Sequence, residues 1–155
     1  MAIKNAHTTK NWDITEHKRD VFSSNDLINA YLKGIEEGGI QQRKALKRLL
    51  NENLDKAYDH TSQIIKELKK RNFGFHSALL KIHDWDEFEV LIIVPQEDFL
   101  DEGFLEIYNL LPKYEKDFEE DTYQINFSFV DFDKSLDESK VEADGFLLEY
   151  RNNQE

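Results

Sequence analysis

The residues of this chain best equipped for chemistry gather in one short stretch. His83-Asp84-Trp85-Asp86-Glu87, followed by Glu89, sets four carboxylates and an imidazole within seven residues. Carboxylates so spaced suit a hard cation, because Mg²⁺ and Mn²⁺ prefer oxygen ligands. Asp84, Asp86 and Glu89 are therefore the candidate metal ligands. His83, Asp84 and Asp86 are the candidate catalytic residues, with His83 as the base. Aspartate is also favoured in turns on conformational grounds alone. The same pattern therefore fits a solvated hairpin tip with Trp85 packed sideways.

The tip lacks the companions that known motifs need. Asp84-x-Asp86 resembles the carboxylate pair that a nucleotidyltransferase presents on its sheet. That family also places a Gly-Ser pair at the start of a helix ahead of the carboxylates. Here the corresponding pair is Gly74-Phe75, expected inside a strand. An EF-hand loop would want an oxygen ligand at position 88 and glycine at 89, and finds Phe88 and Glu89. Arg71-x4-His76 is similar to the Arg/His pair of HEPN-type ribonucleases, which implies acid–base catalysis inside an all-helical dimer. In this chain Gly74 and two Phe intervene, and His76 is expected on a strand.

Other site chemistries are missing altogether. His60, His76 and His83 form no closely spaced pair of the kind that binds zinc. No Gly-x-Ser-x-Gly elbow and no phosphate-binding loop occurs, and Gly38-Gly39 has no strand before it. The chain has no Cys, which removes disulfides, thiolate metal sites and thiol nucleophiles. No cofactor is expected, apart from Mg²⁺ or Mn²⁺ if the carboxylates act on a metal.

Charge is unevenly spread. Residues 1 to 71 carry 14 Lys or Arg against 10 Asp or Glu, whereas residues 72 to 155 carry 6 against 22. The nets of +4 and −16 make the total of −12. An acidic surface of this kind repels nucleic acid and attracts basic proteins. The expected function is thus a non-enzymatic, acidic module that binds a basic protein, as an inhibitor, an antitoxin-like regulator or a nucleic-acid mimic. The alternative is a small divalent-metal enzyme using Asp84 and Asp86 for phosphoryl or nucleotidyl transfer, or as a nuclease. No apolar run is long enough to span a membrane. Met1-Ala2-Ile3-Lys4 lacks the apolar core of a signal peptide, so a cytoplasmic location is expected.

The elements that must position the tip follow from periodicity. Residues 1–24 read as a loosely ordered arm with Trp12 docked on the body, and His7 and His17 solvated. Ser23-Ser24-Asn25-Asp26 offers several helix caps, so an N-terminal helix is expected within 25–39, running to about Glu37 and stopped by Gly38-Gly39. A second helix is expected from Ile40 to about Arg71, its apolar residues recurring every three or four positions. Together the two make a helical hairpin, but the second helix is too long for a compact DNA reader. A β-hairpin follows over 73–95, its second strand apolar on both faces and ended by Pro95. Next come a helix over 99–118, capped by Asp98 or Asp101 and kinked or split by Pro112, and a strictly alternating strand at 123–129. An acidic connection over 131–144 with room for one helical turn at Leu136 to Val141, a strand over 145–150 and a frayed tail over 151–155 complete the chain.

The fold class expected is α+β: an N-terminal helical hairpin, then a two-layer sandwich over 40–150 with a mainly antiparallel sheet. Its order of helix-strand-strand-helix-strand-strand is that of a ferredoxin-like sandwich with the first strand moved to the end. Two helices on one face would leave the second face of the strand at 90–94 bare. The N-terminal arm with the first helix, or a second copy in a homodimer, is the expected cover.

Overall fold

The computed structural model describes residues 11–15, 24–33, 40–133 and 136–151. The chain runs β1 (Trp12–Ile14), α1 (Ser24–Lys33), α2 (Ile40–Lys70), β2 (Ser77–Asp84), β3 (Glu87–Pro95), α3 (Gln96–Phe99), α4 (Phe104–Phe118), β4 (Gln124–Phe132), α5 (Glu138–Ala143) and β5 (Phe146–Tyr150). It is an α+β fold in which α2 and α4 pack on a mixed, mostly antiparallel sheet of five strands, in the order β1-β5-β2-β3-β4.

Helix α2 forms because Leu46, Leu50, Leu54, Ala57, Ile64, Ile65 and Leu68 keep one side apolar through about six turns. It ends in a Schellman motif. Asn72 takes φ of 66°, the Phe73 N–H donates to Leu68 O at 2.9 Å and the Asn72 N–H to Lys69 O at 3.0 Å. The segment that follows, 73–76, is a link ahead of β2 rather than part of a strand. Helix α1 buries Ile28 and Leu32 in the same core. The expected end of α1 near Glu37 and the Gly38-Gly39 stop lie outside the described residues.

Phe88, Val90, Ile92 and Val94 of β3 face α2 and α4 with Leu80, Ile125, Phe127, Phe129 and Leu148. Alternation sends Leu91 and Ile93 to the other face, where Leu79 and Phe146 join them. The described residues of the expected arm and of α1 join the core on the helix side instead, through Trp12, Ile14, Ile28 and Leu32. The chain's own acidic connection covers this face, laying Leu136 and Val141 over Leu79, Ile93 and Phe146. Ile93 is only 2% exposed as a result.

The ferredoxin-like reading is also corrected. The element order from α2 to β5 is as expected, with α3 added and the helical turn of the acidic connection formed as α5. However, β3 and β4 are direct parallel neighbours through nine paired residues, and β5 lies between β1 and β2. A ferredoxin-like sandwich splits its βαβ units by inserting another strand. Here β3-α4-β4 is unsplit, because α4 returns the chain to the edge beside β3.

Residues 12–14 of the expected arm form edge strand β1 against β5. Trp12 is docked as expected, at 1% exposure, with its indole N–H donating to Leu54 O at 3.0 Å. Its ring meets Tyr58 and Tyr150 edge-on. Neither Asp98 nor Asp101 caps a helix starting at 99. Asp98 Oδ2 accepts from the Gly74 N–H at 2.7 Å, Asp101 Oδ1 accepts from the Gly103 N–H at 2.8 Å, and α4 starts only at Phe104. Pro112 does not split α4. It lies on an exposed side, where a carbonyl left without its intrahelical donor is open to water.

Candidate functional site

The tip of the β2–β3 hairpin is a two-residue turn at Trp85-Asp86, flanked by the pair Asp84 and Glu87. Such short turns usually need positive φ to match the twist of the strands. Among the described non-glycine residues only Asn72 has positive φ, so this turn closes differently. The register slips by one residue between Ile82 and Asp84, leaving His83 as a bulge. Bulges re-aim side chains. His83 Nε2 lies 2.8 Å from Glu89 Oε1, and both side chains are about one-third exposed. Asp84 Oδ1 accepts the Trp85 N–H at 2.8 Å.

One buried side chain ties this tip to the body. Asn53 of α2 is 1% exposed. Its amide donates to Trp85 O at 3.0 Å and to Thr122 O at 2.9 Å. It therefore clamps the hairpin tip and the α4–β4 turn against the long helix. The Gln124 N–H donates to Asp86 O at 2.8 Å, which joins the tip to the start of β4.

Between the clamped turns and the end of α4 opens a cleft of about 530 Å³. Asp86, Glu87, Glu119, Glu120 and Asp121 line it, with Lys116, Tyr123 and Gln124. Behind its wall, His60 stacks on Phe118 with ring centroids 3.8 Å apart, and His60 Nδ1 lies 2.9 Å from the Tyr123 hydroxyl. Burial holds the His60 imidazole below its ordinary range, against the opposing pull of Asp59 and Glu120 and with a smaller push from Lys56 in the same direction. Burial likewise pushes the Tyr123 hydroxyl well up, reinforced by Glu120 and Asp59. Lys56 Nζ pairs with Glu120 Oε1 at 2.7 Å, and sits 5.7 Å from the centre of the Tyr123 ring.

The candidates read from sequence are thus divided. Asp86 faces the cleft. Asp84 is turned to its own backbone, and His83 and Glu89 pair with each other. Among the described residues no three His, Asp or Glu side chains converge closely enough to hold a metal ion, so Asp84, Asp86 and Glu89 are not brought together as a ligand set. The Arg71/His76 pair is also pulled apart. Arg71 bridges Glu67 and Glu106 at 2.7 Å each, whereas His76 stacks on Phe132.

Asn53, His60 and Tyr123 were not legible as site residues. The available signal was polarity on an apolar stripe: positions 53, 60 and 61 share the helical side of Leu50, Leu54, Ala57 and Ile64. The chain matches no known family model, no curated protein and no solved structure. Its site is therefore read from its own residues. No helix among those described is long and apolar enough to cross a membrane.

Proposed function

We propose that this protein is a non-enzymatic, acidic cytoplasmic module that binds a basic protein, of the inhibitor, antitoxin-like or nucleic-acid-mimic class. The observation that carries this reading is the cleft beside the hairpin tip, where five carboxylates and one lysine, Lys116, line the wall and, among the described residues, only Glu120 is paired, with Lys56. Two of the five come from the tip and three from the α4–β4 turn, and Asn53 holds these two segments in register. A pocket so lined raises the local concentration of cations and suits lysine or arginine side chains presented by a protein.

The test is fluorescence anisotropy with a labelled lysine-rich peptide. Binding should weaken as salt is raised from about 50 to 500 mM, because screening shortens the reach of exposed charges. The double variant Glu119→Lys with Asp121→Lys should weaken it about tenfold at low salt. Equal binding by wild type and variant would remove the cleft from the interaction. The competing reading, a divalent-metal enzyme built on Asp84 and Asp86, would be favoured by a Mg²⁺- or Mn²⁺-dependent rise in melting temperature that Asp86→Asn abolishes.

A further inference from the structure

Helix α4 carries a second apolar stripe beside the one it buries. Phe104, Ile107, Leu111 and Phe118 point into the core. Leu105, Tyr108, Pro112 and Lys116 fall on one flank, within about 80° of the circumference at 100° per residue. Leu105 is 63% exposed and Tyr108 36%, and Leu100, in the turn before the helix, is 70% exposed. These are three of the four large apolar side chains that are exposed among the described residues. A helix side this apolar is ordinarily covered.

The surroundings define what covers it. Residues 96–112 contain Glu97, Asp98, Asp101, Glu102 and Glu106 and no Lys or Arg. Glu106 is paired with Arg71, and the other four acids crowd the end of the flank that carries Leu100 and Leu105, with Lys113 and Lys116 following toward the cleft. Strand addition to the outer edge of β4 is opposed. Glu115 Oε2 already accepts from the Phe127 N–H at 2.7 Å, and the Tyr108 hydroxyl donates to Phe129 O at 3.2 Å. These side chains from α4 block the edge. The same stripe leads to the acidic cleft, which Lys116 and Glu119 help to line about 20 Å from Phe104 at 1.5 Å per residue.

From this we infer that the outer flank of α4 is the docking surface for a basic, amphipathic helical segment of a partner protein. Its apolar side chains cover Leu100, Leu105 and Tyr108. Its cations meet the acidic rim and reach the cleft. The inference takes the sign of the partner's charge from the function proposed above and adds the apolar half of the recognition, the helical conformation and the surface used.

Three labelled peptides of equal length test it against the full chain. The first is helical, with leucine at every third or fourth position and lysine elsewhere. The second has serine for each leucine, and the third has glutamate for each lysine. The first should bind about tenfold or more tightly than the second, because exposed leucines are buried only in that complex. The double variant Leu100→Ser with Leu105→Ser should bring the first peptide down to the level of the second. Both positions are exposed, and an unchanged melting temperature confirms that the variant is folded. Equal binding of the first and second peptides by wild type would overturn this surface while leaving the acidic-module reading intact. Full binding of the first peptide by the double variant would overturn it too, as would equal binding of the third. Failure of all three peptides to bind would overturn both readings. Sedimentation that shows a dimer broken by the double variant would assign the flank to a second copy instead.

Discussion

Replacing Asn53 with alanine tests how the site is held together. The side chain is almost wholly buried, and both of its N–H groups are used, one on Trp85 O and one on Thr122 O. Alanine removes both bonds and leaves two carbonyls without that donor. A neutral hydrogen bond contributes about 1 kcal/mol net, so the loss is about 2 kcal/mol. Thr122 is exposed, and water can rehydrate its carbonyl, which keeps the cost below that of two fully buried orphans. For a domain of this size the melting temperature should fall by about 4–8 °C. Asn53→Asp should cost more, because it turns a carboxylate toward two carbonyl oxygens in place of a donor. Urea denaturation gives the free energy, and an unchanged slope would show that the unfolded state is unaffected. Hydrogen exchange at the Gln124 amide gives the local effect, since that N–H bonds Asp86 O in the segment that Asn53 clamps. A loss under about 0.5 kcal/mol in Asn53→Ala, with Gln124 exchange unchanged, would refute the clamp.

Two further predictions concern the same helix. Thr61 is fully buried and its hydroxyl has no hydrogen-bond partner, so the isosteric Thr61→Val should raise stability by about 1 kcal/mol in thermal or urea denaturation. His60 should make stability depend on pH. Its folded pKa is depressed below the ordinary value, so the folded state binds fewer protons than the unfolded chain between the two pKa values. The stability held by neutral His60 is complete above the unfolded value near 6.5 and is lost as pH falls below it. Comparing wild type with His60→Gln, which keeps a polar partner for the Tyr123 hydroxyl, should show a flatter decline from pH 7.5 to 5 in the variant. Parallel curves would mean that folding does not lower the His60 pKa.

Local periodicity carried much of the fold. The apolar stripe of α2, the two-sided strand at 90–94 and the alternation at 123–129 are properties of neighbouring residues, and each appears as read. Strand order is different in kind. It depends on where α4 delivers the chain, and the parallel β3–β4 pair follows from that path, which no local period encodes. The same holds for edge strand β1, whose three residues are too few to show alternation and are held by Trp12 docking on α2.

The candidate site divides along the same line. Composition determined that carboxylates would crowd the C-terminal half and that no cysteine, paired-histidine or phosphate-loop chemistry was present. Tertiary structure decided which carboxylates act together. Asp84, Asp86 and Glu89 are near neighbours along the chain, yet a bulge at His83 sends Glu89 to a histidine, and the turn occupies Asp84. Asp86 and Glu87 instead meet Glu119, Glu120 and Asp121, more than thirty residues away, because Asn53 draws both turns onto one helix. Spacing along a chain limits which groups can meet. Which of them do meet is set by hydrogen bonds between distant segments, and those form only once the core has closed around them.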